Sequence, residues 1–214
     1  MNRINEIIGS MASQKKLQLT RPWIRSWGEQ ERCERMFRYI FCKVDPTIRE
    51  YQHLPVYDKI IDWMCNTDDK GLMLMGDCGR GKSVIITRVI PVLLRLLDER
   101  CHTYPVHASE LASIYPFAHG TENYRPTDTN LVYLTRTPYP IIDEVGVESM
   151  INNYGEKSEG FNQVLNVAER FHRPVFITTN LTPLQLLDRY GERTMDRLAH
   201  LCRTIKFEGE SLRK

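Results

Sequence analysis

The chain has no apolar run long and charge-free enough to span a bilayer as a helix. Its N-terminus, with Asn2, Arg3 and Asn5, also lacks the hydrophobic stretch of a secretory signal. A membrane role is therefore set aside and a cytoplasmic location expected. Charge of one sign is missing too. The 29 Lys and Arg stand against 27 Asp and Glu, a formal net +2, so no chain-wide nucleic-acid signature exists, although a local basic patch stays open. Paired cysteines are absent. Cys33, Cys42, Cys65, Cys78, Cys101 and Cys202 contain no C-x-x-C spacing, which removes the usual zinc pattern and leaves reduced thiols as the expectation. What remains is a hydrophobic content of 42% over 214 residues, enough for one full domain and a small appendage.

Within that chain one stretch stands out: Gly71–Ser83, GLMLMGDCGRGKS. An apolar, strand-like run, Leu72 to Met75, leads into Gly76, Cys78, Gly79, Arg80, Gly81, Lys82 and Ser83, and the G-x-x-x-x-G-K-[ST] pattern is met without mismatch. Glycines let successive backbone N–H groups curl into an anion nest, and a following helix adds its N-terminus to the same phosphate site. Lys82 reaches for the β- and γ-phosphates, and Ser83 offers its hydroxyl to Mg2+. These seven residues are the expected nucleotide cradle, with ATP and Mg2+ as the implied ligands. The motif says that a nucleoside triphosphate binds, not what its energy does.

Tyr139-Pro140-Ile141-Ile142-Asp143-Glu144 reads as a buried strand ending in two acids, about 60 residues beyond the phosphate loop. In a P-loop fold the first acid, Asp143, serves the Mg2+ hydration sphere, and the second, Glu144, polarises attacking water. Both would emerge at the carboxyl end of the sheet, where such folds bind ligands. Pro174–Asn180 is another strand ending in polar residues. Asn180 either contacts the water or γ-phosphate, or caps the turn before Leu181-Thr182-Pro183. Arg193 and Arg197 are four apart and share one side of a helix. An arginine offered to a neighbouring subunit's nucleotide stabilises developing phosphoryl charge.

The remaining segments are less specific. Ile4, Ile7, Ile8 and Met11 recur at helical spacing, Lys15 and Lys16 form a basic pair, and residues 29–43 look helical. Residues 1–45 are too short for a substantial core alone. They could form a small helical module, an arm on the main domain or a docking surface, with Trp23 and Trp27 either anchoring a partner or packing on this chain. Helical runs are expected around Val56–Met64, Val84–Leu97 (with a kink or a local break at Pro91) and Phe161–Phe171, and after Pro183. Cys101–Val106 and Cys202–Phe207 read as strands. Ser109-Glu110 reads as a helix start, running to about Tyr115. Leu131–Leu134 fits either state. Gly120 to Asn130 and Gly146 to Gly160 read as polar connections, the second mobile. Seven residues follow Phe207 in the sequence, and no C-terminal lid domain is expected.

The order phosphate loop, Asp143-Glu144-Val145-Gly146, Thr178-Thr179-Asn180-Leu181, then Gly191-Glu192-Arg193…Asp196-Arg197-Leu198 resembles the AAA+ ATPases of the DnaC/DnaI helicase-loader and IstB transposition-helper group. The resemblance runs from about Leu54 to the C-terminus. It implies an α/β, three-layer P-loop NTPase of AAA+ type with a mostly parallel central sheet, no lid, and a short helical N-terminal extension. It divides the chain into residues 1–45, a possible partner-docking element, and 46–214, the ATPase domain. By family match Asn180 corresponds to sensor 1 and Arg197 to the arginine finger, with Arg193 a close competitor. The implied partners are a replicative helicase, single-stranded DNA and further copies of this chain in an ATP-dependent homo-oligomer. The nearest alternative is the same ATPase assisting a transposase. Lys15, Lys16, Arg88 and Arg95 are candidates for a DNA path, and Ser211 and Arg213 match a terminal Ser-x-Arg without an assigned role. A small-molecule kinase would need an acceptor pocket and usually a basic lid; no clear lid is visible, and Asp143-Glu144 with Asn180 fits water-directed hydrolysis better. A nucleotide-binding adaptor without turnover sits poorly with Glu144.

Overall fold

The computed structural model describes residues 24–45, 51–99, 101–112, 130–148, 151–153, 156–158 and 160–209. The expected helix at Ile4–Met11, Lys15, Lys16, Trp23, the break at Pro46, the end of the expected helix at residues 113–115, residues 120–129, Ser211 and Arg213 lie outside them.

The centre is β1 (Gly71–Gly76). Successive strand side chains point to opposite faces. Leu72 and Leu74 therefore enter one apolar cluster, and Met73 and Met75 enter another. A strand buried on both faces needs a helix layer on each side, the arrangement of a parallel sheet. Four more strands complete it: β2 (Val106–His107), β3 (Ile141–Val145), β6 (Phe176–Thr179) and β7 (Cys202–Phe207), in spatial order β2-β3-β6-β1-β7. Every neighbouring pair is parallel. A separate antiparallel pair, β4 (Ile151–Asn153) and β5 (Glu156–Ser158), occupies part of the stretch expected to be a mobile connection.

On the Leu72/Leu74 face lie α1 (Gln30–Val44), α2 (Pro55–Cys65) and the helical run after β1. Cys33, Phe37, Ile40 and Phe41 form the buried stripe of α1, while Glu31, Arg32, Glu34, Arg35 and Arg38 point outward. Trp27 packs inward: its ring centroid lies 5.2 Å from that of Trp63, and its Nε1–H donates to the Leu93 carbonyl at 2.9 Å. Of the two uses weighed for this tryptophan, packing on its own chain is the one observed. Pro55 opens α2 at its first turn, where a missing N–H costs nothing.

The helical run is α3 (Lys82–Val84), a π-helical turn at Ile85–Val89 and α4 (Ile90–Leu97). Pro91 explains the turn. Its nitrogen cannot donate and its ring crowds the preceding carbonyls. The chain inserts a residue, and Ile90 N–H bonds back to Ile85 O. The break expected at Pro91 is therefore a π-bulge inside a continuous helical run.

The Met73/Met75 face is covered by α5 (Asn130–Arg136), α6 (Gly160–Arg170), α7 (Pro183–Tyr190) and α8 (Glu192–Leu201). Leu131–Leu134, ambiguous in sequence, is helical because it lies in α5, with Leu134 buried against this layer. The strand expected at Cys101–Val106 starts only at Val106. Upstream, Tyr104 N–H is bonded to the Tyr133 hydroxyl at 2.8 Å and the two rings stack at 3.7 Å, so the backbone there is committed to α5. The helix expected from Ser109 is, over its described part, a 3-10 turn, Ala108–Ala112. Among the described residues no helix is long and apolar enough to cross a membrane, and all six cysteines are free.

Candidate functional site

The loop after β1 owes its path to glycine. At Gly76 φ is 137°, and an added Cβ would lie 2.3 Å from the Phe207 carbonyl oxygen on the neighbouring strand. Gly79 and Gly81 take φ of 84° and 80°, the left-handed conformations from which a nest of backbone N–H groups can be built. Gly81 then caps α3, so the chain enters a helix directly at Lys82. Lys82 is only 5% exposed, and its Nζ donates to the Asp77 carbonyl at 2.6 Å. Burial pushes its pKa down, opposed by Cys78, Asp77 and Asp143. A buried ammonium whose observed partner is a neutral loop carbonyl is poised for a stronger one, and an anion in the cradle would supply it. Ser83 is half-buried with its carbonyl accepting from Thr87 Oγ1 at 2.6 Å. Cys78 is exposed. Arg80 is 5% exposed and turns to the end of β7: a Cβ on Gly209 would meet its Nη1 at 3.2 Å.

The two acids sit at the carboxyl end of β3. Between Ile142 and Val145 the register with β6 shifts, and Glu144 adopts φ of 59°, a conformation unusual for a residue with a Cβ. One hydroxyl holds this bulge. Thr178 Oγ1 donates to Asp143 Oδ1 at 2.5 Å and accepts from Glu144 N–H at 2.8 Å. The Glu144 side chain meets His107 at the end of β2, Oε2 to Nε2 being 3.2 Å, and His107 Nδ1 lies 2.7 Å from Ser109 Oγ. Sequence reasoning missed both Thr178 and His107. Their signal was position: each lies at the carboxyl end of a strand flanking β3, which is visible only once strand order is known.

Asn180 follows β6 directly and is exposed on the same edge of the sheet. The capping role weighed for it belongs to Thr182, whose side chain accepts from Gln185 N–H while Gln185 Oε1 accepts from Thr182 N–H, a complete capping box for α7. Arg193 and Arg197 both lie on α8 but are not equivalent. Arg193 is exposed. The Arg197 side chain is 8% exposed, and its Nε donates to Glu169 Oε2 of α6 at 2.6 Å. The structure thus gathers the loop, Asp143, Glu144, Thr178 and His107 along the carboxyl edge of the sheet. Arg197 is bonded instead to Glu169 of α6.

The architecture has solved counterparts. A crystal structure of DnaI aligns over 86% of this chain and 96% of that chain, with 19% identity and a TM-score of 0.55. A crystal structure of the DnaC helicase loader aligns over 78% of this chain and 98% of that chain, with 14% identity and a TM-score of 0.57. The shared fold is an α/β one with a parallel central sheet flanked by helices. At these identities the likeness is one of fold. No protein-family model matches the chain. No curated protein matches it in sequence.

In chemical terms the site offers a glycine-turned loop with the buried Lys82 ammonium, one carboxylate positioned by a threonine and a second carboxylate beside an imidazole. Among the described residues no cluster of three or more His, Cys, Asp or Glu could hold a metal by itself. A hard divalent ion bound through one carboxylate, one hydroxyl and substrate phosphates needs no such cluster, and Asp143 with Ser83 fits that donor set.

Proposed function

We propose that this protein binds and hydrolyses ATP, and that hydrolysis switches an assembly of identical subunits that loads a replicative helicase on single-stranded DNA. The observation that carries the ATPase reading is the convergence of the Lys82 loop with Asp143 and Glu144 at one edge of a parallel sheet. Lys82 neutralises phosphate charge in the cradle formed by Gly76 to Ser83. Ser83 and Asp143 would hold Mg2+, which supplies charge neutralisation on the phosphates. Glu144 orients and deprotonates the attacking water. His107 Nε2 lies 3.2 Å from its Oε2, which leaves Oε1 to take the proton of the water. Asn180, exposed beside these groups, supplies a polar contact to the water or γ-phosphate.

The arginine that completes a neighbour's site is Arg193 rather than Arg197. An exposed guanidinium can cross an interface directly, whereas Arg197 would first abandon a carboxylate bonded at 2.6 Å. Residues 1–45 serve as the partner-docking element, α1 presenting its charged outer side. Support for the helicase partner comes from the motif order and from the shared fold with DnaI and the DnaC helicase loader.

The test is co-purification with a replicative helicase, with and without ATP, followed by helicase loading on closed single-stranded DNA circles. ATP-dependent binding and loading are expected. Binding to a transposase and to no helicase would replace the partner assignment, and absence of ATP turnover would remove the ATPase reading itself.

A further inference from the structure

The bend after the acidic pair is held by a residue that the proposed reaction does not use. Glu148 is an acid only 3% exposed. Its Oε2 accepts from Gly146 N–H at 2.7 Å, and its Oε1 accepts from the Tyr190 hydroxyl. Its backbone carbonyl accepts from Arg189 Nη2 at 2.5 Å. One residue therefore ties the turn that follows Glu144 to the last two residues of α7.

The turn is confined from the other side as well. Thr179 Oγ1 donates to the Val145 carbonyl at 2.7 Å, and Val147 N–H reaches the Glu144 carbonyl at 3.3 Å. Gly146 has φ of 113°, and a Cβ there would meet Leu181 Cδ1 at 2.6 Å. The segment from Glu144 to Glu148 has little freedom to move except with its anchors. The anchor at Tyr190 is firm: the ring is 7% exposed and packs edge-on against Phe161 at 5.2 Å. Beyond Tyr190, Gly191 alone separates α7 from α8, whose first turn carries Arg193.

We propose that Glu148 is a positioning residue that couples the conformation of Glu144 to the α7–α8 corner bearing Arg193, so that subunit contact at that corner sets the hydrolytic geometry. The inference rests on the ATPase reading above. A displacement of α8 on docking is passed through Gly191 to Tyr190. From Tyr190 it reaches the Glu148 carboxylate, and from there the Gly146 N–H, two residues from Glu144. Every link is a covalent step or a hydrogen bond, that of Tyr190 to Glu148 buried and that of Gly146 to Glu148 part-buried. Buried polar networks of this kind move as a unit because breaking one member leaves an unsatisfied group. A purely structural strut would protect stability without linking the two ends.

The experiment uses the full chain and two conservative variants. Glu148→Gln keeps the shape but cannot accept on both sides, because its NH2 group only donates. Tyr190→Phe keeps the ring packing and removes one hydroxyl. Nucleotide Kd, KM, kcat in the assembled state and Tm are measured for each, alone and combined with Arg193→Ala. Coupling predicts about a tenfold fall in kcat at unchanged Kd and KM in both variants, and little additional loss when Arg193→Ala is added, as for residues acting through one unit. Wild-type kcat in both variants overturns the proposal. So does a loss that multiplies fully with that of Arg193→Ala, or one that tracks Tm and nucleotide affinity. Wild-type chain without ATP turnover overturns the ATPase reading and the coupling together, whereas active wild type with unaffected variants overturns the coupling alone.

Discussion

Glycine in place of Glu144 should give a more stable protein than alanine there, and both should abolish its chemistry. Glu144 holds φ of 59° at the β3 bulge. For a residue with a Cβ this left-handed conformation costs about 1–2 kcal/mol. Glycine escapes that cost but loses roughly 0.5–1 kcal/mol of additional chain entropy on folding. The proper reference is Glu144→Ala, because alanine and glycine both forfeit the carboxylate and its contact with His107 and differ only in the Cβ. The balance favours glycine by about 0.5–1 kcal/mol. For a chain of this size that is a Tm difference of about 1–4 °C. Thermal unfolding of the two variants under identical conditions reads it, with ATP turnover measured alongside. Both should be inactive. Alanine at least as stable as glycine would mean that the bulge is not strained as described. Glutamate at this position would then need no explanation from function.

Three further substitutions probe separate parts of the account. Lys82→Met should abolish nucleotide binding yet stabilise the nucleotide-free chain at neutral pH. Burial lowers the Lys82 pKa below the ordinary 10.5, so the unfolded chain binds the proton more tightly, and the gain shrinks as pH rises toward 10.5; denaturant titrations across that range check it. Arg193→Ala should bind ATP normally and lose assembly-dependent turnover, whereas Arg197→Ala should lower stability by about 1 kcal/mol through loss of the buried arginine's packing and its bond to the partly exposed Glu169; if the two effects are exchanged in turnover and unfolding assays, the assignment between the arginines is reversed. Trp27→Phe should cost about 1–3 kcal/mol, because it leaves the buried Leu93 carbonyl without its indole donor; chemical denaturation with no change in midpoint would contradict the packing described.

Much of the sheet was legible because its strands are buried on both faces and stand out as short apolar runs between turn signals. Ile141–Glu144 and Val175–Thr179 announced themselves in this way. β2 did not, since only Val106 and His107 pair and the residues before them answer to Tyr133. The turns of the Gly76–Ser83 loop were legible from its glycines, because a left-handed conformation is a local demand on the sequence. The partners of the acids were not. Thr178 and His107 reach Asp143 and Glu144 across strand neighbours separated by 35 and 37 positions, and such contacts leave no local pattern. Glu148 was hidden by its polarity. An acid in the segment Gly146-Val147-Glu148 reads as surface until Tyr190 and Gly146 are seen to enclose it. The two arginines looked interchangeable by spacing, and only the packing of α8 against α6 separates them.

The central claim is that Glu144 performs chemistry on a nucleotide held by the Lys82 loop. Its most direct test is a single comparison of ATP Kd and turnover between wild type and Glu144→Gln. An equal Kd with turnover reduced about 10²–10⁴-fold is the predicted result, the range expected for loss of a general base. Equal turnover in the two proteins would contradict it.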